Sequence, residues 1–138
     1  MKLKIKTLKI IHFALISGVT LAYFTAGTFS NLNIPKFNLE NIKYLLIPVV
    51  AYLLGNFLFR NSIKNIDKNL KLQEKFAKYQ SASLMRWAVI EGACFLLMFT
   101  LVEMQILGLF LLLYLLFLRP TENRIAKDLN VNSSELFV

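Results

Sequence analysis

The chain has 138 residues, enough for one domain, and 57% of them are hydrophobic against 17% charged. Its mean hydropathy is +0.56. That balance excludes a disordered tail and an ordinary cytosolic enzyme, and the single cysteine excludes an intrachain disulfide scaffold. A net charge of +8, from sixteen Lys and Arg against eight Asp and Glu, would suit nucleic acid. Basic residues beside long apolar blocks, however, have a topological meaning first.

Four such blocks predict an all-α fold, a four-helix transmembrane bundle in one integral membrane domain, residues 1–138. The first span, about 10–29, has the roughly twenty residues that a helix needs to cross hydrocarbon. Its Lys-rich approach and Thr25-Ala26-Gly27 also fit a signal peptide, but its length suits a retained anchor better. Ser30 to Lys43, rich in Asn and containing Pro35, reads as an outer loop without catalytic clustering. The second span, about 44–59, carries Pro48 near its start, where a missing N–H is tolerated. The third and fourth, about 83–101 and 105–118, form a tight hairpin turning near Glu103 and Gln105. Arms of about 15–20 residues are short enough to require bilayer thinning or snorkelled flanks.

In the connection 60–80, Ile63, Ile66, Leu70, Leu72, Phe76 and Tyr79 recur at three- and four-residue steps among lysines, without Gly or Pro. It reads as an extension of the neighbouring helices, as a helix lying on headgroups or as a solvated basic loop. In the tail 119–138, Arg119-Pro120-Thr121 ends the last span and Ile125 and Leu129 mark a short terminal helix. Residues 130–138 are expected to fray.

Lys2, Lys4, Lys6 and Lys9 precede the first span, six basic residues from Arg60 to Lys78 fill the connection, and Arg119, Arg124 and Lys127 follow the fourth span. Only Lys36 and Lys43 fall on the other side. The positive-inside rule then places both termini in the cytoplasm of a multi-pass inner-membrane protein. The lipid bilayer, through its anionic headgroups, is the expected partner of these charges, and nucleic acid is not.

All five glycines, at 18, 27, 55, 92 and 108, lie in the apolar blocks. Close helix packing is the usual reason. Ala14, Gly18, Ala22 and Ala26 form a four-residue stripe on the first span, Ala51 and Gly55 a pair on the second, and Ala88 and Gly92 a pair on the third. Such surfaces join helices within one chain or between copies, and self-association into a homo-oligomer, or assembly with a membrane-complex partner, is expected. His12-Phe-Ala-Leu-Ile-Ser-Gly18 aligns with Arg86-Trp-Ala-Val-Ile-Glu-Gly92, so two tandem helical hairpins are a candidate architecture.

Glu91 is the sharpest chemical feature, near the middle of the third span, where an ionised side chain costs at least about 2.5 kcal/mol. Ser17 and Tyr52 fall at similar depth, with Asn56, Tyr114 and His12 nearer the cytoplasm. Glu91 with Ser17, Tyr52 and Arg86 is thus a candidate proton or cation site, the competing reading being a hydrogen-bonded packing residue. Arg86 is five residues away, about 140° around the helix, so direct pairing with Glu91 is poor. His12 reads as interfacial and Cys94 as a small core residue. No catalytic residue, metal-ligand spacing or cofactor motif is present.

At Arg86-Trp-Ala-Val-Ile-Glu-Gly and Arg119-Pro-Thr-Glu the chain resembles small four-span membrane proteins common in Bacteroidetes, a family that supplies no activity. Ala-Val-Ile-Glu-Gly is also loosely similar to the carboxylate helix of rotary ATPase proteolipid (c) subunits, a resemblance that implies proton or sodium binding at Glu91. The expected function is non-enzymatic: proton- or cation-linked transport through a buried carboxylate or, alternatively, an accessory or assembly subunit of a membrane complex.

Overall fold

The computed structural model describes residues 1–26, 36–100 and 105–137. Gly27, the outer loop through Pro35, the turn at Glu103 and the ends of the first and third expected spans lie outside them. The described chain forms five helices and no strand: α1 (Lys2–Thr25), α2 (Leu46–Lys64, preceded by a 3-10 turn at Ile42–Leu45), α3 (Leu72–Thr100), α4 (Gln105–Phe117) and α5 (Glu122–Leu129). Three helical segments, Lys2–Thr25, Ile42–Lys64 and Leu72–Phe99, are long and apolar enough to cross a membrane. By itself α4 covers about 20 Å, and it passes that test only together with α5, from which it is bent by 80°.

α3 is the axis of the bundle. One of its faces meets α2, where Ala51, Gly55 and Phe59 recur at four-residue steps and are buried. The two helices approach closely here: a Cβ added at Gly55 would already be in van der Waals contact with Arg86, 3.4 Å from its Cγ. A second face of α3 meets α1 and α4. There Tyr23 donates its hydroxyl to Cys94 C=O at 2.7 Å, and Cys94 Sγ lies 3.6 Å from Gly108 C=O. A Cβ on Gly108 would fall inside the Tyr23 phenol, so this glycine makes room for that ring. Cys94 is fully buried, as expected of a small core residue.

These contacts correct the expectation of two tandem hairpins. α3 and α4 do pack side by side and antiparallel, but α1 lies against α3 and α4 rather than forming a comparable pair with α2. The reason is in the side chains: Leu8, His12, Val19 and Tyr23 of α1 are buried, and the partners of His12 and Tyr23 are on α3 and α4.

The pairings also bring the start of α1, the end of α2, the start of α3 and the end of α4 to one end of the bundle. The thirteen flanking basic residues counted from the sequence gather there. The connection 60–80 is mostly helix, because α2 continues to Lys64 and α3 begins at Leu72. At this end α5 folds back across the bundle. Pro120 disfavours continued helix at the preceding residue, Thr121 caps α5 by accepting from Arg124 N–H, and Asn130 closes it in the left-handed conformation at φ 53°. The tail is not frayed: Ser133–Phe137 is a 3-10 turn whose Leu136 is fully buried. Leu136 belongs to the same apolar core as Ile125 and Leu129 of α5.

Candidate functional site

The polar residues expected to gather around Glu91 are distributed differently. Glu91 is half-buried, and it forms no hydrogen bond or ion pair among the described residues. Ser17 is exposed on α1. Tyr52 is exposed and packs its ring on Tyr114 at 5.0 Å. Asn56 Nδ2 donates to Tyr114 Oη at 2.7 Å, joining α2 to α4. Three members of the expected layer, Tyr52, Asn56 and Tyr114, thus meet one another, and none hydrogen-bonds to Glu91.

Around Glu91 the outer surface of α3 is open. Ala88 and Gly92 are exposed, and a Cβ on Gly92 would meet nothing within 4 Å. Phe99, two turns on, is 74% exposed. The stripe on α1 has the same character: Ala14, Gly18 and Ala26 are exposed, Ala22 is half-buried, and Gly18 also has open space beyond it. Of the expected small-residue surfaces, the Ala51 and Gly55 pair alone is closed by this chain's own helices.

Arg86 is the polar centre that the structure builds instead. It is 6% exposed, and its guanidinium carbon stands 3.7 Å from the centre of the Phe59 ring, a cation–π contact of roughly 0.5–2 kcal/mol. Its Nε has no hydrogen-bond partner. Next to it Trp87 is fully buried, stacked at 4.7 Å and 58° against His12. His12 is enclosed by the bundle, 3% exposed, and its Nε2 contacts Leu115 C=O at 2.8 Å. A carbonyl only accepts, so Nε2 carries the proton.

Arg86 opens onto a cleft of about 690 Å³ between α2, α3, α4 and α5, at the basic end. Asn56, Tyr114 and Phe117 form its apolar-side wall, and Arg60, Lys64, Arg124, Lys127 and Asp128 its outer wall. Asp128 is its one carboxylate, with burial pushing that carboxyl above its usual range and Arg86 acting in the opposite sense. Glu122, half-buried on α5, is held below the usual carboxylate range by a hydrogen bond from Lys9. That ion pair, 2.6 Å long, ties α5 to α1. The sequence reading missed Asp128 and Arg124 because their place in the cleft depends on the bend of the chain near Pro120. Among the described residues no group of three or more His, Cys, Asp or Glu is placed to hold a metal ion.

Comparison with family models, curated proteins and solved structures finds no match. Among the described residues the protein is a helical bundle with three apolar helical segments long enough to span a membrane, or four if α4 and α5 act as one bent span.

Proposed function

We propose that this chain is a non-enzymatic, multi-span protein of the bacterial inner membrane, its basic end in the cytoplasm, and that it serves as an accessory subunit gripping a partner helix within the bilayer. A single observation carries the reading. Glu91 stands midway along the apolar part of α3 with no hydrogen-bond partner among the described residues, beside a strip where Ala88 and Gly92 are exposed and Gly92 has open space beyond it. A carboxyl group facing hydrocarbon is costly, and a neighbouring helix supplying a donor removes that cost while small residues let it approach. The partner is another membrane subunit or a second copy of this chain. Proton or cation transport through Glu91 has less support, because none of Ser17, Tyr52 and Arg86 hydrogen-bonds to it.

The test is association in native membranes. Cysteines placed at Ala88 or Gly92 should crosslink to a partner, and Gly92→Leu or Glu91→Gln should reduce recovery of the complex severalfold while the chain remains folded. Purification of monomers alone, uncrosslinked, would sink this reading. Proton flux in reconstituted vesicles that disappears with Glu91→Gln would replace it with the transport one.

A further inference from the structure

We propose that the cleft at the basic end is a binding site for a phosphate group. Five cations, Arg60, Lys64, Arg86, Arg124 and Lys127, line it against the single carboxylate of Asp128. None of the five takes part in an ion pair within 4.0 Å among the described residues, the one such pair being Lys9 with Glu122. Arg60, Lys64, Arg124 and Lys127 are exposed and Arg86 is buried, so the cleft concentrates positive charge around a concave space with Arg86 at its enclosed end.

Arg86 supplies the second, independent observation. It is more than nine-tenths buried, lies against the cleft, and forms no hydrogen bond with any described residue, its Nε among the buried atoms left without a partner. A buried donor without an acceptor costs about 1–3 kcal/mol, and more when charged. Packing does not require such a residue, since an unbranched apolar side chain would fill the same gap without that cost. Phe59 holds the guanidinium by one face, which leaves the donor edge of the fork for an anion.

The surrounding groups are also positioned. Arg124 donates to the carbonyls of Phe117 and Arg119 at the end of α4, which fixes its head at the cleft wall. Tyr114 accepts from Asn56, so its own hydroxyl proton is free to be donated. Donors converge from four helices. A tetrahedral phosphate has enough oxygens to meet several of them, whereas a carboxylate matches one guanidinium fork. A lipid headgroup and a free phosphate share this chemistry. The exposed Phe117 at the rim gives an acyl chain an apolar exit, in keeping with basic pockets between membrane helices that hold anionic headgroups.

This inference is independent of the partner-helix reading, because the cleft and the Glu91 strip lie on different sides of α3. The experiment uses the full chain in phosphatidylcholine nanodiscs, with phosphatidic acid and inorganic phosphate titrated in separate arms. Binding is read by native mass spectrometry and by thermal shift. Saturable binding of phosphatidic acid alone identifies a lipid headgroup, and binding of inorganic phosphate identifies a site for the free ion; either result supports the inference. The Arg60→Gln, Lys127→Gln double variant should weaken binding about tenfold or more. The Lys6→Gln, Lys78→Gln double variant removes equal charge from the same end outside the cleft, and should change binding less than about twofold. Arg86→Met should abolish binding without lowering the melting temperature, which a merely structural arginine would not do. No saturable binding in either arm, or equal weakening by the two double variants, would overturn the proposal.

Discussion

Arg86 and Glu91 stand five residues apart on α3, about 7.5 Å along its axis, and their surroundings have little in common. Arg86 is enclosed by α2 and α4, stacked on Phe59 and open only to a cationic cleft. Glu91 lies at the edge of the outward surface, next to Ala88 and Gly92, with no hydrogen-bond partner among the described residues. The difference follows from rotation: five residues turn the helix by about 140°, enough to carry one charge inward and leave the other at the rim. A charged residue inside an apolar segment therefore does not announce its role by depth alone. The face on which it emerges decides whether this chain or a neighbour must satisfy it.

The largest expected effect separates the two faces by packing. Trp87→Ala removes a fully buried ring that contacts His12 and should cost about 3–5 kcal/mol. Phe99→Ala on the outward face should change the stability of the isolated protein by less than about 0.5 kcal/mol. Thermal unfolding in one mild detergent compares them, and equal losses would erase the contrast between packed and open sides.

A smaller effect is expected from the glycines. Gly108→Ala must displace the Tyr23 ring and should cost about 1–3 kcal/mol by overpacking, whereas Gly18→Ala meets nothing and should leave the melting temperature unchanged or slightly higher. If Gly108→Ala is harmless, α1 does not sit on α4 as described.

The smallest effect concerns the half-buried tie between α5 and α1. Lys9→Ala should cost no more than about 1 kcal/mol at neutral pH, as expected of a surface pair. The hydrogen bond from Lys9 holds the Glu122 carboxyl below its ordinary value of 4.5, so its stabilisation is complete above that value and is lost as pH falls through the lower folded one. Asp128 has the opposite sign. Burial raises its carboxyl above the ordinary 3.8, so the cost of its charge is relieved as pH falls through the raised value. Melting temperatures of wild type and Lys9→Ala should therefore converge in acid, and divergence there would contradict the pairing.

Much of the architecture was legible in the sequence because it rests on composition and period. Long apolar runs can satisfy their backbone polar groups only as helices, and lysines at their ends mark one face of the array. Ile125 and Leu129 announced α5, and Ala51 and Gly55 marked a close helix contact that does form against α3. The Glu91 layer was not legible, because depth in a span was read without rotation: Ser17 faces outward, and Asn56 and Tyr114 meet each other. The same limit applied to the repeat, since matching heptapeptides say nothing about which helix each will touch.

By itself, then, the sequence determined that the chain is helical, where its long apolar helices run and that its charge collects at one end, all properties fixed within single segments. Only the tertiary structure decided that α3 is the axis, that the tail folds back under Leu136, and that Arg86 rather than Glu91 is enclosed among donors. Those outcomes depend on which side chain fills the space beside which glycine, and on an 80° bend near Pro120 that brings α5 over the bundle. Such relations join residues far apart in the chain, and local pattern carries no record of them.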